Sequence, residues 1–248
     1  MVTLSTDGSR QSRQENAFTH SHAVPPAKAG GLVCVVDHQQ ARRLQMERNL
    51  RDAGYRVLGF GSGRDFLSML PCSLPACVIL ALELPDMTGL EVQLAMKAGD
   101  RGEKVVFVAE QGTLVSCVQA MKAGAVDFFA WPVMPELLLQ AVEIALARSG
   151  SWWRKRSSQS TARARMDSLT RREVEVLRLM IRGRLNRQIA ETLGTAEATI
   201  KIHRRHIMEK LEVRSLPEVV IIAQTSGMIP QPLSEAMRRE DRKVAMSS

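Results

Sequence analysis

Residues 168–215 read SLTRREVEVLRLMIRGRLNRQIAETLGTAEATIKIHRRHIMEKLEVRS, and their pattern is helical throughout. Thr170 and Glu173 stand in the spacing of a capping box, with a threonine oxygen facing the third backbone N–H and a glutamate reaching back. Val174, Leu177, Met180 and Ile181 then fall on one face, and Gly183 closes the helix. A second helix is expected over 187–193, ending at Gly194, and a third over 196–211. A fourth is expected over 216–225, ending at Gly227. Four short helices with a surplus of basic residues predict a helix-turn-helix module. On the third helix, Lys201, Ile202 and Arg205 lie within one turn, with 201 and 205 as i,i+4 neighbours. The opposite face, Ile200, His203, Ile207 and Leu211, is expected to pack inward, with His203 a partly buried structural residue.

Toward the N-terminus the pattern changes. Short apolar runs at 32–36, 55–60, 76–82, 105–109 and 125–129 read as strands. Helical segments at 41–53, 64–70, 90–98, 114–123 and 135–147 follow them in turn. The run 76–82 is almost wholly apolar, as a central parallel strand covered on both faces requires. Five such βα units predict a doubly wound parallel sheet with its functional crevice at the carboxyl ends of the strands.

Between the two blocks, 148–168 is serine-rich, basic and weakly periodic, which is a linker composition. Trp152 and Trp153 within it are candidates to dock on a domain or on a partner subunit. Residues 1–30 are polar, carry Pro25-Pro26 and read as a flexible leader. The tail from 229 has two prolines and mixed charge and reads as frayed, with a short exposed helix over 233–244 as the alternative.

The chain has 248 residues and a net charge of +8, but the charge is unevenly spread. Residues 31–147 carry −3, 148–168 carry +5 and 169–228 carry +4. An acidic front and a basic back point to a polyanion partner for the back alone. No apolar run approaches the ~18 residues of a membrane span. The N-terminus lacks the apolar core of a signal peptide. The four cysteines, Cys34, Cys72, Cys77 and Cys117, form no Cys-x-x-Cys pair and read as reduced thiols of a cytoplasmic protein. No metal site and no cofactor is expected. A flavodoxin-like enzyme finds no support either, because the chain has no phosphate-cradling glycine loop and no nucleophile–base pair.

The motifs LT-x-RE-x-EVL, N-x-x-IA, LG, T-I-K-x-H and KL-x-V make 168–215 closely resemble the LuxR-type helix-turn-helix of FixJ/NarL response regulators. LELPDMTGLE and AMKAGAVDFFAWP resemble two corners of a receiver domain. The resemblance implies a receiver-like (βα)5 domain at 31–147, a basic linker at 148–165 and an all-α four-helix DNA-binding domain at 166–228. It implies base reading by Lys201, Ile202 and Arg205, with Thr199, Arg204, Asn186 and Arg187 nearer to phosphates. It also implies double-stranded DNA as partner, a homodimer, and RNA polymerase as a further candidate contact. Where the family has a serine to cap the recognition helix, this chain has Ala196, and Thr195 is the expected substitute.

The receiver departs from its family at the phosphorylation site. Alignment on LPDMTG puts Ala81 at the phosphoacceptor position, and a methyl group cannot be phosphorylated. Asp37 keeps one acid of the metal-binding pair, and its neighbour is His38. Ala109 stands at the Ser/Thr position, and Trp131 replaces the lysine before Pro132. The switch aromatic corresponds to Phe128, without its threonine partner. Two alanines and a tryptophan predict an apolar pocket where the family has an ionic one. Glu83 and Asp86 are expected to point elsewhere, and Cys77 and Cys117 to be small packed residues. The expected function is a DNA-binding transcriptional regulator that works independently of aspartyl phosphorylation. Two alternatives stay open: a receiver-like domain that senses a ligand or protein through that apolar pocket, and a conventional phospho-activated two-component regulator.

Overall fold

The computed structural model describes residues 31–229, so the leader and nearly all of the tail, including 233–244, lie outside the described residues. Five parallel strands, β1 (Leu32–Val36), β2 (Arg56–Phe60), β3 (Ala76–Ala81), β4 (Lys104–Ala109) and β5 (Asp127–Ala130), form one sheet in the order β2-β1-β3-β4-β5. The order reverses between β1 and β3, which opens a crevice at their carboxyl ends. Alternate side chains face opposite layers. Val33, Val35, Cys77, Ile79, Val106 and Val108 meet α1 (Gln40–Asp52) and the first half of α5 (Pro135–Asp167). Cys34, Val36, Val78, Leu80 and Phe107 meet α2 (Gly63–Ser68), α3 (Gly89–Ala98) and α4 (Leu114–Ala123). Every residue of β3 is buried, as its unbroken apolar run predicts.

The C-terminal helices are α6 (Arg171–Ile181), α7 (Asn186–Leu193), α8 (Glu197–Leu211) and α9 (Leu216–Thr225). Val176, Leu177, Met180, Ile189, Ile200, Ile207, Leu211 and Val219 form their common core. The Thr170–Glu173 capping box is present as expected, with the Glu173 amide donating to the Thr170 hydroxyl at 3.3 Å and Glu173 accepting from the Thr170 amide at 2.8 Å.

The connection between the blocks is where structure and sequence pattern part. Instead of an irregular linker from 148, α5 continues unbroken for 33 residues. Three anchors explain it. Ser149 is fully buried; its hydroxyl donates to the Gly102 carbonyl at 2.9 Å and accepts from the Ala76 amide at 3.0 Å. Trp152 lies flat against Gly102, where any Cβ would come within 2.5 Å of its ring. At the far end, Ala162 is buried, and Arg165 donates to the Leu211 carbonyl at 3.2 Å, closing the end of α8. A helix too polar to be recognised by its own periodicity is thus held by tertiary contacts at both ends. Within the chain, Trp152 packs on the front domain.

Removing the Ser149 hydroxyl leaves a buried N–H and a buried carbonyl without that partner. Ser149→Ala is expected to lower unfolding stability by about 1–3 kcal/mol in urea titrations, with the larger part in the front domain.

Candidate functional site

Two regions gather the residues singled out by sequence. The first is the carboxyl edge of the sheet. Ala81 ends β3 and is 2% exposed, Ala109 ends β4, and Trp131 follows β5 with its amide donating to the Ala109 carbonyl at 2.8 Å. Asp37 follows β1 and is 1% exposed. The fold therefore brings Asp37, Ala81, Ala109 and Trp131 to one edge, with His38 on its rim.

The edge is not apolar. Arg42, one turn into α1, is 6% exposed and reaches back to Asp37 with both ends of its fork. Its Nε donates to Asp37 Oδ2, and its Nη2 donates to Oδ1 at 2.9 Å. The Gln39 amide also donates to Oδ1 at 2.9 Å, and Arg43 donates to the Asp37 backbone carbonyl at 2.5 Å. Arg42 Nη1 sits 3.1 Å from Glu110, whose carboxylate also accepts from Gln39 Nε2 at 2.7 Å. The guanidinium lies 5.8 Å from the Trp131 ring centroid, within cation–π range. The apolar pocket expected at Ala81, Ala109 and Trp131 is therefore corrected to a charged cleft of about 100 Å³, bounded by His38, Gln39, Arg42, Glu83, Ala109 and Glu110. Arg42 lines this cleft together with Ala109.

The neighbouring acids have other work. Asp86 accepts from the Gly63 and Arg64 amides at 3.0 and 2.8 Å, at the start of α2. Despite some desolvation, those backbone bonds hold its carboxyl below the usual range. Glu83 is exposed, and its backbone carbonyl faces His38 Nδ1 at 3.1 Å. Phe128 turns inward against Phe107, under Gly112. Burial pushes the Cys77 thiol up and out of any reactive range.

The second region is the α7–α8 unit. Gly194, in the left-handed region at φ 62°, turns the chain between the two helices. Lys201, Ile202 and Arg205 share an exposed face of α8, and Arg187 is exposed on α7. Asn186, Thr199 and Arg204 are half-buried beside them. Among the described residues, Lys201, Arg205 and Arg187 pair only with Glu197, Glu209 and Glu191 one turn away, at 3.6, 3.6 and 3.1 Å. Such exposed pairs are worth well under about 1 kcal/mol, so these cations are free to exchange partners. Ile200, Ile207 and Leu211 are buried and His203 is half-buried, as expected. Thr195 does not cap α8; Ala196 occupies the N-cap without a side-chain bond, while the Thr195 amide donates to the Ala190 carbonyl.

Sequence reasoning missed the brace under this face. Glu173 is 3% exposed and accepts from Lys210 of α8 at 2.7 Å, with His206 at 4.0 Å. Burial would push its carboxyl up, but the Lys210 ammonium and Thr170 outweigh burial and hold it below the usual range. Only the capping-box spacing hinted at Glu173, and it hinted at the cap rather than the ion pair.

The comparisons with known proteins agree with these two regions. Residues 33–143 match the model of the response regulator receiver domain, and 167–223 that of the bacterial regulatory proteins of the luxR family. Nodulation protein W of Bradyrhizobium diazoefficiens is 31% identical over 202 residues, covering 82% of this chain and 89% of that protein. The chain belongs to the response regulators that carry a LuxR-type DNA-binding domain. Transcriptional regulatory protein FixJ of the same organism is 30% identical over 199 residues, covering 80% of this response regulator and 97% of FixJ. The solved structure of the response regulator StyR superposes with a TM-score of 0.73 at 38% identity, covering 79% of this chain and 99% of that one.

Two outcomes follow from the site. Arg42→Ala strands a buried carboxylate and is expected to destabilise the receiver by about 3–5 kcal/mol in urea unfolding, whereas the Asp37→Leu/Arg42→Met pair recovers most of the loss. Glu173, with its depressed native pKa, contributes stability that is full above the ordinary glutamate pKa of about 4.3. That contribution falls away as pH drops through the native value. Thermal melts of the helical domain from pH 6 to 3, at about unit steps, should show an acid loss that Glu173→Gln removes.

Proposed function

We propose that this response regulator binds double-stranded DNA as a homodimer and controls transcription without aspartyl phosphorylation. The observation that carries the reading is the state of Asp37: both of its carboxylate oxygens accept from Arg42, and one also accepts from the Gln39 amide. A receiver's Mg²⁺ requires several oxygen ligands in near-octahedral array. Here the one retained acid is occupied, the neighbouring Ala81 and Ala109 bring no side-chain oxygen, and the Glu83 carbonyl faces His38. This donor set does not fit the ion. A fixed guanidinium takes the place of a dissociable cation.

The α8 face supports groove binding of the usual kind. Lys201, Ile202 and Arg205 present two donors and an apolar contact from one turn of a helix that stands clear of its own core. Arg187, Arg204, Thr199 and Asn186 flank that turn and suit the phosphates on either side. Two such modules on a dimer read a two-fold site, with strong salt dependence from the basic residues of α5 through α8. A DNA partner places the work in the cytoplasm.

In gel-shift or anisotropy assays, Arg205→Ala should cost about 1–3 kcal/mol and relax discrimination at one base pair. Arg187→Ala should weaken all sequences alike and lower the salt slope by about 1. Beryllofluoride with magnesium, or acetyl phosphate, should leave DNA affinity and oligomeric state unchanged. A shift in either restores the conventional phospho-activated reading, and Arg205→Ala with unaltered base preference refutes the groove register.

A further inference from the structure

Two thiols meet toward the amino-terminal edge of the receiver sheet. Cys34, in the middle of β1, is fully buried in the layer that holds Phe66 and Val78. Cys72 precedes β3, in the irregular segment after α2, and is 8% exposed between the exposed Pro71 and Ser73. The sheet register brings the two together. Cys34 stands beside Val78 of β3, and the Leu32 amide donates to the Pro75 carbonyl at 3.0 Å, so the segment entering β3 runs along the start of β1. The Cys34 thiol is hydrogen-bonded to the Cys72 sulfur. Cys77 points into the opposite layer, and Cys117 sits on α4.

A buried ion pair holds Cys72 in this position. Arg101 and Glu103 pair at 2.8 Å, with side chains 5% and 0% exposed. Glu103 accepts from the Cys72 amide at 3.0 Å, and Arg101 donates to the Met69 carbonyl at 3.3 Å. The guanidinium also lies 4.8 Å from the Phe66 ring centroid. Cys72 therefore cannot swing away from Cys34 without disturbing a buried charge pair. The two sulfurs differ in character. The hydrogen bond from Cys34 holds the Cys72 thiol below the ordinary cysteine range, outweighing burial and the Glu103 carboxylate, and Arg101 adds to it. The same contact, together with burial, pushes the Cys34 thiol up, so Cys34 keeps its proton.

We infer that Cys34 and Cys72 form a peroxide-oxidisable dithiol that closes to an intramolecular disulfide. The Cys72 thiolate attacks hydrogen peroxide. An S–O bond forms, the O–O bond breaks, and the departing hydroxide takes up the proton that Cys72 released, leaving a sulfenic acid and water. Cys34 then attacks that sulfur. The S–S bond forms, the S–O bond breaks, and the hydroxyl leaves with the Cys34 proton as a second water. Two thiols and one peroxide thus give one disulfide and two waters, and a dithiol reductant reverses the change. The new bond ties β1 to the segment leading into Ala76, whose amide donates to Ser149 of α5. The inference does not rest on phosphorylation independence.

The test treats the full chain, purified reduced, with about 1 mM hydrogen peroxide near neutral pH for about an hour, then blocks free thiols and maps peptides by mass spectrometry. The expected product is a link within one chain between the Cys34 and Cys72 peptides, with Cys77 and Cys117 still free and with dithiothreitol restoring every thiol. The Cys77→Ala/Cys117→Ser protein should form the link at the same rate. Cys34→Ala, which removes the resolving sulfur, should let dimedone trap a sulfenic acid at Cys72 that the parent protein does not accumulate. The map of the parent protein decides the matter whether or not Cys34→Ala folds. Cys34 and Cys72 both recovered as free thiols, a link through Cys77 or Cys117, or a link between two chains overturns the inference. A dimedone adduct at Cys117 in place of Cys72 overturns the assignment of the nucleophile.

Discussion

A single buried carboxylate governs the carboxyl edge of this receiver. Asp37 is almost wholly desolvated at the end of β1, and an ionised group in that position must find a cation or give up its charge. Arg42 supplies the cation from the same chain, five residues on, in a forked geometry that occupies both oxygens. The rest of the edge is arranged around that pair. Glu110 closes over the free end of the guanidinium, Gln39 ties Glu110 back to the first loop, and Trp131 stacks beside it. A buried pair of this kind adds little net stability over apolar packing, but it fixes one arrangement, because every alternative leaves a charge unpaired.

The pair also tethers the loop after β4 to the loop after β1, through Glu110. The crevice at the carboxyl ends of β1 and β3 lies directly beside that tether. The exposed face of α8 belongs to the other domain, which α5 joins to the receiver. That helix is the one continuous element shared by both domains, anchored by Ser149 and Trp152 at one end and by Ala162 and Arg165 at the other.

The architecture was largely legible from hydrophobic periodicity. The five strands and helices α1 to α4 begin and end within about two residues of expectation, because each apolar run had one kind of partner. Among the strands the widest miss follows Gly124: β5 starts at Asp127 rather than 125, since Ala125 and Val126 finish the turn into the sheet. The back half of α5 was illegible because its helicity depends on contacts far away in sequence, Gly102 and Leu211, and not on its own amphipathicity. The site was half legible. Substitutions at Ala81, Ala109 and Trp131 were visible as losses, and losses suggested an empty apolar space. That Arg42 would turn into it could not be read from spacing alone, because an arginine early in a helix ordinarily faces solvent. The Glu173–Lys210 brace escaped for the same reason: its partners are 37 residues apart on different helices.

The central claim is that Asp37 is committed to an internal guanidinium and is unavailable to a metal. Trp131, beside that guanidinium, reports on the pair directly. Titrating the Trp152→Phe/Trp153→Phe protein with magnesium leaves Trp131 as the sole indole. The account predicts flat emission through millimolar magnesium, on the order of 10 mM, at constant ionic strength. A saturable change in Trp131 emission, lost on Asp37→Asn, would contradict it.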